Sequence, residues 1–328
     1  MGVSSVIYAN TGAYVALNGM LTAERYQRLI DCTGDAELQK RLSEFGFEGD
    51  TTDEMLSRAL DGVYAYLDER SPVEGVRAAL LKKNDYHNAK VTMKCKYARR
   101  EDFGALLYPH GGIDTDKMKE WVFKDDYSLL PRPMAAALAD IDLRFSKGDR
   151  SGRVVDCRLN RAMYEDIFQT LGAGHGEMKG VFRAEADLCN VSAALRVRVN
   201  GLREADLAEE FLPGGQIPFD TLRVLLDGTP ERVRDAFSHG AAAEYRDIVA
   251  DAMSEAEKGA MPDFERVSDN FIIRMLKKYK DSNSHYMMFY GYVLARLYEL
   301  KNIRIVCAGV RAGEPKKKIH AKLRETYV

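Results

Sequence analysis

Glu299-Leu-Lys-Asn302-Ile-Arg304-Ile-Val-Cys-Ala-Gly309 lies near the end of a 328-residue chain, and its pattern occurs twice more. Asn190-Val-Ser-Ala-Ala-Leu-Arg-Val-Arg-Val-Asn-Gly precedes it by 112 residues, and Asn88-Ala-Lys-Val-Thr-Met-Lys-Cys-Lys-Tyr-Ala-Arg lies 102 residues earlier still. A weaker copy starts at Asn10. Recurrence at a near-constant period predicts one supersecondary unit written about three times, each copy burying an apolar face against its neighbours.

Around each Asn the apolar residues recur at spacings of three and four, which places them on one face of a helix. In the third copy, Phe264, Val267, Phe271, Ile272, Met275 and Tyr279 form one arm, and Met288, Phe289, Tyr292, Val293, Leu297 and Leu300 form the return arm. Asp281-Ser-Asn-Ser284 supplies the tip between them. In the second, Leu159, Met163, Ile167 and Phe168 precede a Gly172-Ala-Gly-His-Gly176 tip, and Leu188, Val191, Leu195 and Val199 follow it. In the first, Met55, Leu56, Ala59, Leu60, Val63, Tyr64 and Leu67 mark one arm. Ser71-Pro72 starts the partner, which carries Val76, Ala79, Leu80, Tyr86, Ala89, Met93 and Tyr97, since Pro fits a first helical position. Each return helix leads to a short helix and then, in the first two copies, to a Gly-Gly turn, Gly111-Gly112 and Gly214-Gly215. Further short helices are expected at 114–123 and 219–227. The third copy is trimmed to Gly313-Glu-Pro315 and a final helix, Lys316–Tyr327. Near the start, Thr22 caps a helix whose Leu21, Tyr26, Leu29 and Ile30 point inward. No stretch alternates with period two long enough to predict a sheet, and Arg196-Val-Arg-Val199 reads as helix from its neighbours. The expected fold is all-α, with units at 1–125 (including a weak N-terminal half-repeat), 126–230 and 231–328.

Composition sets the remaining bounds. Hydrophobic residues make up 46% and charged residues 30%, with a net charge of −2, so the surface as a whole is not built to hold nucleic acid or an anionic membrane. No run approaches 18 apolar residues, and the opening residues lack a basic start, apolar run and cleavage site; neither a membrane span nor a signal peptide is expected. Five scattered cysteines without a CxxC predict reduced thiols in a cytoplasmic protein.

The chemistry-bearing residue types do not gather. The Gly172–Gly176 loop lacks the preceding strand and following Lys-Ser/Thr of a phosphate loop. Six histidines form no HExxH or i,i+4 pair, and GxSxG is absent. Neither a catalytic set nor a cofactor or metal is expected. The carboxylates of Glu204-Ala-Asp206-Leu-Ala-Glu209-Glu210 read as a solvated face with i,i+4 partners. Asn88, Asn190 and Asn302 are expected to mark the repeat structurally, bonding to backbone or bridging to a neighbouring arm. So are Asp61, Asn160 and Asp269, which lie 27, 30 and 33 residues before them. Local basic clusters (Lys94/Lys96/Arg99/Arg100, Arg196/Arg198, Lys277/Lys278/Lys280 and Lys316/Lys317/Lys318/Lys322/Arg324) leave open a helical scaffold that grips another soluble protein or RNA.

The C-terminal run Tyr292-Val-Leu-Ala-Arg-Leu-Tyr-Glu299-Leu-Lys-Asn302-Ile-Arg304-Ile, then Ala308-Gly309 and Ile319-His-Ala-Lys-Leu-Arg-Glu-Thr-Tyr327-Val328, resembles the end of the C-subunit family of archaeal and bacterial V-type (A-type) rotary ATPases, equivalent to the eukaryotic d subunit. The Asn-containing helices, Leu60-Asp61, Leu159-Asn160 and the length fit as well. The resemblance implies three similar helical-hairpin domains around a pseudo-threefold axis, forming a funnel. It also implies a non-catalytic central-rotor adapter that couples the D and F subunits of the central shaft to the proteolipid ring for proton or sodium ion transport. Such an adapter sits in the cytoplasm, peripheral to the inner face of the cell membrane, and neither spans it nor binds nucleic acid. Lys94, Lys96, Arg196, Arg198 and Arg304, polar positions on the repeated return helices, are the expected partner contacts.

Overall fold

A computed structural model describes residues 3–259 and 263–328. Among these residues the chain forms sixteen α-helices, two short 3-10 turns and no strand. It divides into two compact units, and the first joins the two ends of the sequence: residues up to Glu74 together with Glu265–Val328. The second holds Gly75–Phe264.

The first unit contains α1 (Val3–Leu17), α2 (Ala23–Ile30), α3 (Asp35–Glu44), α4 (Thr52–Arg70), α14 (Phe264–Lys277), α15 (Met287–Arg311) and α16 (Lys316–Lys322). Thr22 starts α2 as expected, its hydroxyl accepting from Arg25 N–H, and Thr51 starts α4 by accepting from Glu54 N–H at 3.1 Å. α15 is the axis of this unit. Its buried residues lie on every face, including Met288, Phe289, Tyr290, Val293, Leu300 and Ile303, and it packs on α1, α2, α3, α4 and α16. Its first half, Met287–Ala295, carries no charged residue, and a helical stretch apolar all round has to be enclosed. Each fully buried large side chain here contributes about 1.5–3 kcal/mol relative to exposure.

The second unit contains α5 (Glu74–Tyr97), α6 (Thr115–Phe123), α7 (Arg132–Ser146), α8 (Gly152–Leu171), α9 (Gly176–Val199), α10 (Glu204–Glu210), α11 (Phe219–Asp227), α12 (Pro230–Ala236) and α13 (Arg246–Glu257). Tyr86, Ala89 and Met93 of α5 share one core with Met118, Leu138, Ile141 and Leu159 from α6, α7 and α8. The glycine-rich tip at 172–176 is the turn between α8 and α9, with Gly172 and His175 both at positive φ.

Three local expectations are corrected. Helix α5 begins at Glu74, not at Pro72, because the Tyr290 hydroxyl accepts from Val73 N–H at 3.1 Å and donates to Val73 C=O at 2.7 Å, holding the approach segment outside the helix. Tyr97 is exposed: its ring rests on Phe145, centroids 4.2 Å apart, and its hydroxyl donates to Asp142. The last helix stops at Lys322 instead of reaching Tyr327, since an asparagine on α15 takes the next stretch of backbone out of helical geometry.

Candidate functional site

The repeated asparagines perform one task three times. The Asn88 amide donates to Tyr108 C=O at 2.8 Å while its Oδ1 accepts from Tyr108 N–H at 2.8 Å. Asn190 does the same with Leu212, at 3.0 and 2.7 Å, and Asn302 with Arg324, at 3.0 and 2.8 Å. All three are buried. An amide side chain offers one donor and one acceptor in a plane, so it can pair with a backbone residue as a neighbouring strand would. Each Asn thereby fastens the segment that follows its helix back onto that helix. Asn10 differs: its amide donates to Asn283 C=O at 2.8 Å and His285 C=O at 3.0 Å, binding the tip between α14 and α15.

One helical turn before each Asn stands a buried carboxylate. Asp85 Oδ1 accepts from Ile113 N–H at 2.9 Å. Asp187 accepts from Gln216 N–H at 2.8 Å and Ile217 N–H at 2.9 Å, and from the Tyr245 hydroxyl at 3.2 Å. These bonds explain the Gly-Gly turns. A Cβ at Gly111 would overlap Asp85 Oδ1, and one at Gly215 would overlap Asp187 Oδ1, so only glycine lets the turn close over the carboxylate. The third carboxylate, Glu299, accepts instead from Leu21 N–H, at the other end of the sequence. The match is one of register. Ile113, Ile217 and Leu21 each stand two residues before a short helix, α6, α11 and α2 respectively. In the third repeat it is the N-terminal segment that supplies this contact. Tyr26 of α2 reinforces the closure, its hydroxyl donating to Glu299 C=O at 3.3 Å.

Burial pushes all three carboxyls above the usual carboxylate range, Asp85 to about 6, and the backbone N–H groups they accept from pull them partly back. At Glu299 the adjacent Arg296 guanidinium also opposes the rise. None of these acids is among the residues expected from sequence, although the signal is present as an acid three positions before each Asn.

The other repeat marks do not share one role. Asp269 binds Lys301 at 2.8 Å and Arg324 at 3.0 Å within the first unit. Asn160 accepts from Lys90 Nζ at 2.5 Å within the second. Asp61 lies on the exposed side of α4. Among the basic residues, Lys94 pairs with Asp156 at 2.7 Å, Lys96 with Asp125 and Asp142, and Arg196 with Glu210 at 3.2 Å. Arg198 donates to Leu225 and Gly228 C=O at 3.1 and 3.0 Å. Arg304 is exposed on α15 with no such partner among the described residues. The acidic residues of α10 are not the solvated face expected of them. Asp206 and Glu210 take Arg153 at 3.0 and 2.9 Å, because α10 packs on α8 and α9 and turns that face onto their arginines.

A groove of the first unit, about 430 Å³, has two arginines on its wall, Arg58 and Arg296, which are engaged by Glu54 and Glu299. Among the described residues no group of three His, Cys, Asp or Glu side chains is arranged to hold a metal, and no helix is long and apolar enough to cross a membrane. Cys32, Cys95, Cys157 and Cys307 are buried and free; Cys189 is free and exposed. The repeated asparagines and their carboxylates are thus turned toward the backbone of their own chain, and their chemistry is that of fastening.

Residues 9–322 match the ATP synthase (C/AC39) subunit family. Among individual proteins, the chain is similar to the A-type ATP synthase C subunit of Halorubrum lacusprofundi, 23% identical with 94% of each chain covered. It is similar also to the A-type ATP synthase C subunit of Haloferax volcanii, 23% identical over 92% of each chain, and to that of Methanocaldococcus jannaschii, 22% identical over 77% of this chain and 67% of the relative. A match of that extent places the chain in the ATP synthase (C/AC39) subunit family, a family of non-catalytic accessory subunits.

Proposed function

We propose that this chain is the central-rotor adapter of an A/V-type ATP synthase, seated between the D and F subunits of the central shaft and the cytoplasmic face of the proteolipid ring. In that position it carries torque between ATP chemistry and proton or sodium ion transport. The observation that carries the reading is the family match over nearly the whole chain. The fastened repeats support it: a coupler has to resist deformation, and segments tied to their helices by paired buried hydrogen bonds are stiff. The three-domain funnel implied by the resemblance belongs to this proposal, with 1–125, 126–230 and 231–328 as the register of the sequence repeat. Of the five basic residues named from sequence, Arg304 is the best placed to meet a partner, the other four being engaged within the chain.

The test is assembly. The full chain, co-expressed with the D and F subunits and with the proteolipid ring, is expected to co-purify with each. Retention by neither, singly or together, overturns the reading.

A further inference from the structure

The first 23 residues contain no Asp, Glu, Lys, Arg or His, in a chain that is 30% charged. Helix α1 occupies most of this stretch and is apolar on both sides. Its inner side, Val6, Ala9, Ala13 and Leu17, is buried in the first unit. Its outer side shows Ile7, Tyr8, Tyr14 and Val15 at 45%, 63%, 54% and 64% exposure. With Thr11 they follow the spacing i, i+1, i+4, i+7, i+8 of one continuous helical stripe. Two of the three polar side-chain atoms on the stripe already have partners. The Thr11 hydroxyl donates to Ile7 C=O at 2.8 Å, and the Tyr8 hydroxyl accepts from Arg70 Nη1 at 2.6 Å. A surface whose polar groups are satisfied from within can be covered by apolar atoms at little cost.

We infer that the outer stripe of α1 is a docking surface for an uncharged, apolar helix of another subunit. The inference rests on the reading that this chain is part of an assembly. Three observations select the occupant. The stripe's own side chains carry no charge, and Arg70 at its edge is turned onto the Tyr8 ring and hydroxyl, so a partner helix with charges along the contact would bury them unpaired, which costs several kcal/mol. A second copy of the chain is too little: the four side chains expose on the order of 400 Å², against the roughly 800 Å² per partner that a stable dimer buries. A single crossing helix fits both the area and the ridge that the i, i+4, i+7 spacing presents.

Two measurements on the full chain in the purified ATP synthase test this. A benzophenone side chain at position 14 is expected to crosslink to an uncharged helical peptide of another subunit, whereas the same group at the exposed position 129 does not give that product. The Tyr14→Glu/Val15→Glu variant is expected to lose at least tenfold in retention by the complex, while the thermal midpoint of the free chain stays unchanged, since both positions face solvent. Full retention of the variant overturns the inference, as do crosslinks confined to lipid or to a second copy, or none at all. If the wild-type chain is not retained either, the adapter reading falls with it; if the wild type is retained and the variant equally so, the docking surface alone falls.

Discussion

Asp85 shows how a single side chain is set by its surroundings. It is buried, it accepts from Ile113 N–H, and its carboxyl is pushed up to about 6 from 3.8. In the folded chain it therefore holds its proton more tightly than in the unfolded chain. Between pH 4 and 6 the native state binds more protons, so the stability attributable to this group is fully present at low pH and declines as pH rises toward 6. A shift of this size amounts to on the order of 2–3 kcal/mol. Asp85→Asn keeps an oxygen for Ile113 and removes the titration. Relative to the variant, the wild type is expected to lose stability by that amount between pH 4 and pH 7. Urea unfolding of both proteins across this range checks it, and parallel stability curves would falsify the assignment. The acid itself was legible beside each Asn in the sequence. Its burial was not, because Asp85 stands on a helix rich in charge, among Lys82, Lys83 and Lys90, and only packing distinguishes the enclosed group from the solvated ones.

At the level of elements, the asparagines decide where helices hand over to loops. Apolar spacing of three and four made the hairpin arms legible: α14 and α15 lie where periodicity put them, α6 and α11 follow the Gly-Gly turns as expected, and Arg196–Val199 is helix. What periodicity could not supply is which helix lies against which. The stripe on α5 is compatible with α4 or with α8, and its core is shared with α6, α7 and α8. The fastening between α9 and the segment after α10 makes a direct test. In Asn190→Ala the N–H and C=O of Leu212 lose their partners in a buried place, and each loss costs about 1–3 kcal/mol. A drop of roughly 2–4 kcal/mol in unfolding free energy is expected, with Asn190→Asp intermediate because it keeps the acceptor and loses the donor. If the alanine variant unfolds within a few tenths of a kcal/mol of wild type, the paired bonds are not what secures this segment.

For the molecule as a whole, the first compact unit is made from both ends of the chain, and Glu299 is the stitch between them. Sequence self-similarity showed three copies but not that the last is finished by the first residues, since Leu21 and Glu299 are 278 positions apart and no local signal links them. Further ties run the same way: Lys316 to Asp31 at 2.6 Å, and Arg311 to Asp35 at 2.7 Å and Asp53 at 3.1 Å. These pairs are exposed and individually weak, whereas the Glu299 contact is enclosed and sets the register. If the two ends form one cooperative body, loosening the stitch has to loosen both. Glu299→Leu removes the acceptor of Leu21 N–H and the partner of Arg296, a loss of about 2 kcal/mol or more, or some thirtyfold in the opening equilibrium. Amide exchange is therefore expected to quicken together in α2–α4 and in residues 316–328, and much less in Glu299→Gln, which keeps an oxygen for Leu21. Acceleration confined to one of the two segments would show that the ends are held independently, and that the third repeat is closed by proximity and not by this bond.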